Sequence, residues 1–499
     1  MLGAPKRLQP KLFYQGVSLE ERIPPTHLLR RVRQTVDFDF IRREVAELYG
    51  PCGHESLDPA VLLRLMLLLV LENVSSERAL TEQLPYRLDW LWFCEYDLDE
   101  ETPNHSVLSK ARRRWGLAVF SELFQRVLQQ CVAAGLVDGR TLHVDASLIR
   151  ANADSSGLQP ALRLVAGALY DRLEQEATGQ EPAPAAPPEV ATTERDDDGP
   201  PPGTLVSSTD PEARLTHKGG RSILGYKDHR VVDDRCGIIT ATVTTDAATA
   251  ESHVLGEALA QHQENVGCRP RTVVADKGYG TADVYRSMAE RGITPCIPHA
   301  NHQSARNPGL YEARRFQYAA ERDAYLCPQG QWLKRHGTSG RGYGHYRAAK
   351  SVCAACVCCG QCTTARDGRA LTRSLGQEWI EWADGCFSRE HRRRLRRRRM
   401  YRAEGSFADA ANHHGYKRAR WRGLVGLTMQ NLLVAAAQNL RKLLRASWRK
   451  PATALLSVGH AGRLDVAAVR RLNGNRFGCL GRFTFGPTRF GDALSPSCG

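Results

Sequence analysis

Residues 223–298 constrain the fold more than any other part of the chain, because strand-like and helix-like runs alternate through them. Two β-like runs lie on either side of a polar turn at residues 233–237, and a helix-like run covers Glu251 to His262. A short β run follows at Thr272 to Ala275, then a helical pattern and one more strand-like run. This order predicts an α/β fold with a sheet of mixed direction.

The first 135 residues predict an all-α region. Asp58 is a candidate N-cap with Pro59 in the first turn, ahead of a broad apolar stripe. Another helix start lies at residues 102–106, and a basic helix on an apolar layer is typical of a helix-turn-helix arrangement. A solvated charged face on an ordinary helical bundle explains this pattern equally well. The cationic residues of this helix are Lys110, Arg112, Arg113 and Arg114.

The charge balance indicates the class of partner. The chain has 69 Lys and Arg against 54 Asp and Glu, a formal charge of +15 and a pI near 9.3. Such a surplus favours a polyanion, either nucleic acid or an anionic membrane surface. The longest apolar stretch, Val61 to Leu71, contains Arg64 and is far shorter than the roughly 20 residues that span a bilayer. With no signal-peptide pattern at the start, we expect a cytoplasmic protein associated with the nucleoid.

Two aspartates end predicted strands, and they are candidate metal ligands. Asp145 follows one β run and Asp276 follows another. An Asp at a strand end is more often a turn former, but strand-end carboxylates also hold the two Mg²⁺ ions, about 4 Å apart, that cleave phosphodiesters. Glu404, in an Arg-rich helix, is a third candidate that by itself is best explained as a salt-bridge partner. Arg397 and Tyr401 share its predicted helix face, so phosphate-binding groups accompany this acid.

The cysteines favour metal over disulfides. There are fifteen in a long chain with no secretion signal, and five lie between Cys353 and Cys362. The spacing of Cys353 and Cys356 is typical of a zinc knuckle, and Cys327 and Cys362 can complete a structural Zn²⁺ site. Because Cys358 and Cys359 are also present, other ligand sets remain open, as does a loop of free cysteines.

Several sequence runs, taken in order, resemble DDE transposases of bacterial insertion sequences. They are HVDASLIRANAD (143–154), LGYKDHRVVD (224–233), VVADKGYG (273–280), YRAEGSF (401–407) and GYKRARWRGL (415–424). Among these transposases, the runs most resemble the IS eleven-eighty-two group. The N-terminal runs, from IPPTHLLRR through to NHSVLSKARRR, are similar to the InsH-type N-terminal domain of the same proteins. The resemblance covers roughly residues 20–445.

This resemblance implies an RNase H-like core in which Asp145, Asp276 and Glu404 are the catalytic acids and bind Mg²⁺, with Mn²⁺ as a substitute. The implied reaction is hydrolytic nicking of double-stranded DNA at the terminal inverted repeats, followed by attack of the 3′-hydroxyl on target DNA. Pairing two ends implies a homodimer in the active complex. Relatives often have Tyr, Arg and Lys at i−7, i−4 and i+7 from the third acid. Here Arg397, Met400 and Ala411 occupy these positions, so that pattern is not kept. The expected DNA-contacting residues are Lys110, Arg112, Arg113, Arg397, Tyr401, Arg402, Lys417 and Arg418.

The predicted organisation has five parts. They are a helical N-terminal DNA-binding domain (1–135), the first part of the RNase H-like core (136–310), a cysteine-rich β insertion (311–387), the last part of the core with the acidic helix (388–447) and a loosely ordered basic tail (448–499). Residues 176–212, rich in Pro, Ala, Asp and Thr, predict a disordered insertion within the core. Two other functions stay open: a zinc-containing DNA-binding protein, including a domesticated inactive transposase, and an RNase H-like structure-specific endonuclease.

Overall fold

A computed structural model describes residues 18–50, 56–154, 157–160, 205–299, 309–340 and 342–448. The contacts discussed below lie within the described residues up to Arg445, which belong to one compact unit. No helix in these described ranges is long and apolar enough to span a membrane. The predicted basic tail lies outside the described residues except for Trp448.

Eight α-helices precede the first strand in the described part of the chain. They are α1 Leu19–Arg22, α2 Leu28–Thr35, α3 Phe40–Val45, α4 Pro59–Leu71, α5 Glu77–Gln83, α6 Leu88–Cys94, α7 His105–Trp115 and α8 Ala118–Ala133. Every residue of α4 is buried, which explains its nearly uniform apolar sequence. Arg64 is tolerated inside it because its Nη1 lies 2.8 Å from Glu95 Oε2.

Two predicted helix starts are confirmed. The Asp58 side chain accepts a hydrogen bond from the Ala60 backbone N–H at 3.0 Å, and Pro59 follows in the first turn. At the start of α7, Asn104 accepts a hydrogen bond from the backbone N–H of Ser106 at 3.0 Å. Capping side chains satisfy backbone donors that a helix cannot pair internally, and they can therefore be recognised in sequence.

The main sheet contains six strands of mixed direction, as predicted. They are β1 Thr141–Arg150, β4 Arg214–Lys218, β5 Arg221–Asp233, β6 Ile239–Asp246, β7 Thr272–Val274 and β8 Thr294–Cys296. The order is β4-β5-β1-β7-β8, with β6 also paired to β5. The pairs β1–β7 and β7–β8 are parallel, and the others are antiparallel. Helices α9 Glu251–Val266 and α10 Ala282–Glu290 connect the later strands.

The predicted disordered insertion is only partly described. Residues 176–204 lie outside the described ranges. Residues 205–212 do not fit the prediction, because β3 Leu205–Ser207 pairs with β2 Leu158–Pro160. Asp210 is buried and accepts a 2.5 Å hydrogen bond from the hydroxyl of Tyr226. Pairing of backbone and side chains with distant partners orders a segment whose composition alone favours disorder.

A second, smaller sheet is entirely antiparallel. Its strands, in spatial order, are β9 Gln317–Ala319, β10 Ala324–Leu326, β11 Trp332–Ser339, β12 Tyr343–Arg347 and β13 Ala370–Ser374. Two short helices, α11 Lys350–Ala354 and α12 Cys359–Cys362, lie between β12 and β13. A small separate core supports this sheet, and it consists of Phe316, Leu333, Tyr346, Ala348 and Leu371.

The last elements are helical. They are α13 Gln377–Gly385, α14 Arg389–Arg399, a π-helical turn Met400–Glu404, α15 Gly405–His413 and α16 Gly423–Trp448. The sequence predicts an apolar helix from Leu424 to Leu444 that Asn431 and Asn439 interrupt. The helix is confirmed, but it continues unbroken through both asparagines. Asn439 both donates to Ile239 O at 2.7 Å and accepts from Ile239 N at 2.8 Å. These asparagines join the helix to β6 without breaking it, because their amides satisfy polar groups of the strand.

Candidate functional site

Asp145 lies on β1 in the middle of the main sheet, with β5 on one side and β7 on the other. Its side chain is 15% exposed. Burial raises the pKa of Asp145 to about 6, while Arg399 and a hydrogen bond from the backbone N–H of Ala146 oppose this rise. The charges of Asp276 and Glu404 raise it further. The other two predicted acids therefore both act electrostatically on Asp145.

Asp276 comes to the same level of the sheet through the parallel pairing of β1 with β7. His143 is opposite Val274 in that register. Asp145 lies two residues further along β1, and Asp276 lies two residues beyond the end of β7. Asp276 caps the 3₁₀ turn Lys277–Tyr279, and its Oδ1 accepts a hydrogen bond from the Gly278 N–H at 2.8 Å. The sequence predicts that Asp145 ends its strand, and this is wrong, because antiparallel pairing with β5 continues β1 to Arg150. Asp276 does follow the end of β7, so paired backbone holds the two carboxylates at neighbouring positions.

Glu404 is connected to Asp145 by one guanidinium group. Arg399 Nη2 donates to Glu404 Oε1 at 2.8 Å, and Arg399 Nη1 lies 3.0 Å from Asp145 Oδ2. The second contact is an ion pair whose geometry is not that of a hydrogen bond. Glu404 is the most open of the three groups, at 47% exposed, whereas Arg399 is 14% exposed. The acid on the helix and the acid on β1 therefore share a single counter-ion.

The π-helical turn explains how Arg399 reaches Glu404. It spans Met400–Glu404 and follows directly after α14. A π turn pairs residues five apart, so it brings i−5 rather than i−4 to the position over Glu404. Met400, at i−4, is 57% exposed. The sequence analysis missed Arg399 because one arginine among many at i−5 carries no signal until the π turn is known.

Glu251 is a fourth carboxylate near the site that the sequence analysis missed. It is the first residue of α9, and its Oε2 lies 2.2 Å from where a Cβ on Gly278 would be. The same point is 3.0 Å from Asp276 Oδ1. Burial, and then the charge of Asp276, raise the pKa of Glu251. A glutamate in the first turn of a helix is common, so the sequence alone had no means of selecting it.

The predicted DNA-contacting residues near Glu404 are mostly exposed. Arg397, Lys417 and Arg418 are open to solvent, and Tyr401 is 76% exposed. Lys417 donates from Nζ to Ser147 Oγ at 2.7 Å, two residues beyond Asp145 on β1. Arg402 is half-buried and donates to the Arg235 carbonyl at 2.8 Å. Cationic side chains therefore lie close to the acids, with Lys417 bound to Ser147 on β1 and Arg402 in the π turn after α14.

The basic helix α7 presents two of its three predicted contact residues. Lys110 and Arg113 are exposed. Arg112 is 13% exposed, pairs with Glu77 at 3.2 Å and lies 4.3 Å from the ring centre of Trp421. Burial lowers the pKa of Arg112, although Glu77 opposes this. Arg112 thus packs within the protein, whereas its two neighbours are available to a partner.

His143 and His229 have structural contacts. His143 Nε2 lies 2.8 Å from Asp234 Oδ1, and Asp234 Oδ2 lies 2.7 Å from Arg398 Nη2. His229 is fully buried between the Tyr279 hydroxyl at 3.2 Å and Thr245 Oγ1 at 3.1 Å. Burial lowers the pKa of His229 to about 4. His229 is therefore a neutral residue with two hydrogen-bond partners and a structural role.

The four predicted zinc ligands lie near one another. Burial raises the pKa of Cys362, Arg369 lowers it, and Cys353, Cys327 and Cys356 raise it further. The four line a narrow cavity of about 30 Å³ together with Cys358 and Cys359. Backbone N–H groups point at two of the sulfurs, from Gln331 to Cys327 Sγ at 3.3 Å and from Arg369 to Cys353 Sγ at 3.4 Å.

The described residues contain no group of three or more His, Cys, Asp or Glu already arranged to hold a metal ion. The donor set of the acids nevertheless suits a divalent cation, because carboxylate oxygens are the ligands that Mg²⁺ prefers. A positive group, the guanidinium of Arg399, already lies between two of these carboxylates. A cation held by these acids would therefore share them with Arg399.

Two family matches identify the protein. Residues 17–114 match a family described as transposase domain (DUF772), and residues 326–444 match a family described as transposase DDE domain. No curated protein sequence matches the chain significantly. The chain is therefore a transposase. More particularly, it is a DDE transposase of the insertion-sequence type, in a family that acts on DNA and uses divalent metal ions, typically Mg²⁺.

Proposed function

We propose that this transposase nicks double-stranded DNA at the inverted repeats of an insertion sequence and joins the freed 3′-hydroxyl to target DNA. Asp145, Asp276 and Glu404 are the proposed catalytic acids and would hold the Mg²⁺ ions, or Mn²⁺ as a substitute. The single observation that carries this proposal is the shared environment of the three carboxylates, with Arg399 bridging two of them. When bound, the metal ions activate water and stabilise the leaving oxygen.

The acids of the site are held in different ways, and this suits the reaction. Asp145 lies on a strand paired on both sides, and Asp276 follows one of those partners and caps a turn, which favours a fixed spacing. Glu404 is half exposed on the π turn and can adjust to substrate. Asp145 lies on β1, and Asp276 follows β7, the strand parallel to β1. This arrangement also supports the proposal of an RNase H-like core, for which we keep the domain limits expected from sequence.

DNA contact is proposed for the exposed cationic groups. Arg397, Lys417 and Arg418, with Tyr401 and Arg402, would bind the backbone near the scissile phosphate. Lys110 and Arg113 would bind the element ends, and pairing two ends would require a homodimer. The action on DNA is consistent with a cytoplasmic, nucleoid-associated location.

A structural zinc ion is proposed for Cys327, Cys353, Cys356 and Cys362. Their thiols influence one another electrostatically, and two sulfurs accept backbone N–H bonds. Four such ligands form a closed tetrahedral site that stabilises a small domain. The core beneath the smaller sheet has only five buried residues, so a metal would add substantially to it.

The test uses Asp145→Asn, Asp276→Asn and Glu404→Gln in the full-length protein. Each is expected to abolish Mg²⁺-dependent nicking of a repeat-bearing duplex, while DNA binding in a gel-shift assay is kept. Asp283→Asn is the matched control, because this aspartate is 85% exposed on α10 and should leave nicking unchanged. Near wild-type cleavage by any one of the three would remove that residue from the site.

Strand joining separates the proposal from its two alternatives. The transposase should join a pre-cut repeat end to an unrelated target plasmid. A structure-specific endonuclease would cleave branched DNA without joining, and an inactive DNA-binding descendant would bind repeats with no cleavage in either metal.

A further inference from the structure

Arg399 occupies an unusual position for a cation in a metal-dependent enzyme. Its guanidinium lies within 3.0 Å of both Asp145 Oδ2 and Glu404 Oε1, and it is 14% exposed. Asp145 is equally buried, and a buried carboxylate without a partner is strongly disfavoured. The guanidinium therefore supplies the positive charge that this pair of acids requires when no metal is bound.

We propose that Arg399 is the resident counter-ion of the catalytic acids and competes with the divalent cation for Asp145 and Glu404. In the metal-free protein it holds the two carboxylates together. When a cation binds, Arg399 gives up at least one of them and its fork of donors becomes free for a DNA phosphate. This inference rests on the proposed function, since it takes the two acids as metal ligands.

Arg399 and the metal ion compete because both need the carboxylates of Asp145 and Glu404 at close range. Mg²⁺ binds carboxylate oxygens directly at about 2.0–2.1 Å, so an ion held by Asp145 and Glu404 would draw on the same two carboxylates that Arg399 contacts. Two positive groups in one partly buried site repel each other. Arginine cannot relieve this by losing a proton, because guanidinium stays charged in proteins. It must move instead.

The local structure provides for that movement. The π turn that begins at Met400 directly follows Arg399, and π turns are short irregularities within otherwise α-helical segments. Arg399 Nη1 is buried without a hydrogen bond of good geometry, so one arm of the fork lacks a full partner. A phosphate can accept two parallel hydrogen bonds from a guanidinium and would supply one.

An ordinary structural ion pair makes the opposite prediction about metal affinity. If Arg399 only keeps the acids in place, its loss should disorder them and weaken metal binding. If Arg399 competes with metal, its loss should strengthen metal binding. The sign of the change in affinity therefore separates the two roles.

The experiment measures Mn²⁺ binding to full-length protein without DNA, by electron paramagnetic resonance of the free ion. Arg399→Gln is expected to bind Mn²⁺ about five- to tenfold more tightly than wild type, because a competing charge is gone. Arg399→Lys keeps the charge and should stay within about twofold of wild type. Arg394→Gln is the matched control, an equal charge change at an exposed residue of α14, and should also stay within about twofold.

Asp145→Asn in the same assay distinguishes the two possible failures. If Asp145→Asn loses Mn²⁺ binding but Arg399→Gln binds no more tightly than wild type, the counter-ion role is overturned and the metal site stands. If Asp145→Asn binds Mn²⁺ as wild type does, the metal site itself is overturned.

Thermal unfolding covers the case in which Arg399→Gln is unstable. A counter-ion that metal can replace predicts a lowered Tm in EDTA that saturating Mn²⁺ restores to the metal-bound wild-type value. A variant that stays unfolded, or keeps its full Tm deficit, in Mn²⁺ would overturn the proposal.

Discussion

The carboxylate of Asp228 accepts a 2.8 Å hydrogen bond from Nε of Arg230, and both side chains are completely buried. Asp228 also accepts from the Tyr416 hydroxyl at 2.7 Å and from Thr242 Oγ1 at 2.5 Å. The guanidinium of Arg230 lies 4.8 Å from the ring centre of Phe407 and 4.6 Å from that of Tyr416, two rings that stack on each other. This network joins β5 to α15, the helix that directly follows Glu404.

Loss of Arg230 should therefore be severe. We expect Arg230→Met to lower the free energy of unfolding by about 3–5 kcal/mol, because it leaves Asp228 charged and without its cation in the interior. Urea denaturation followed by circular dichroism measures this. Arg286→Met removes an exposed arginine paired with Asp283 and should cost less than about 1 kcal/mol. Equal losses of unfolding free energy in the two variants would show that the buried network contributes no more to stability than the exposed ion pair does.

The raised pKa of Asp145, about 6, predicts a pH dependence of stability. Between pH values of about 4 and 6 the folded protein keeps a proton that the unfolded chain has released. The contribution of this group to stability is therefore present at low pH and is lost as pH rises to about 6. Relative to Asp145→Asn in EDTA, wild type should lose about 3 kcal/mol across this window.

Urea unfolding at half-unit pH steps tests this expectation. Asp283→Asn, an exposed control, should follow the wild-type profile. Parallel profiles for wild type and Asp145→Asn would show that Asp145 does not titrate in this range.

Gly278 should be sensitive to a single methyl group. A Cβ there would lie 2.2 Å from Glu251 Oε2 and 3.0 Å from Asp276 Oδ1, so at least one carboxylate must shift. Misplacement by about 1 Å can cost up to 10²-fold in rate, and we expect Gly278→Ala to slow single-turnover nicking at least about tenfold. Gly256→Ala is the control, since its nearest atom, Arg291 Nη2, is 3.8 Å away. Wild-type nicking by Gly278→Ala would mean that the position of these carboxylates does not matter.

The cysteine cluster predicts about one Zn²⁺ per chain in purified protein, measured by elemental analysis. Cys353→Ser and Cys356→Ser should each lose the metal and lower the Tm. Cys358 and Cys359 line the same cavity. The variants Cys358→Ser and Cys359→Ser should nevertheless retain the zinc, and this result would define the ligand set. Wild-type protein without zinc would eliminate the site.

The residues of α7 should separate DNA contact from packing. Lys110→Ala and Arg113→Ala are expected to weaken binding to the terminal repeat and to reduce the slope of log K against log salt by about one each. Arg112→Ala should leave that slope unchanged and reduce stability, because it loses Glu77 and the Trp421 ring. Fluorescence anisotropy over a salt series measures the slopes, and an equal change in all three variants would assign Arg112 to the DNA surface as well.

Local chemistry explains which parts of the fold could be predicted from sequence. The caps at Asp58 and Asn104 and the two strand-like runs beside the turn at residues 233–237 depend on neighbouring residues, and all are found in the structure. Residues 205–207 and Asn439 were predicted wrongly for the opposite reason. Their conformation depends on partners far away in sequence, β2 for the first and the Ile239 backbone for the second.

The same division runs through the candidate site. The sequence by itself proposed Asp145, Asp276 and Glu404 as candidates, because acids that follow β-like runs and family motifs are readable in one dimension. Only the tertiary structure added Arg399 and Glu251. A π turn changes which residue lies over Glu404, and the approach of α9 to Gly278 brings in a carboxylate from another helix. Both effects come from backbone geometry and packing, which no local pattern of residues encodes.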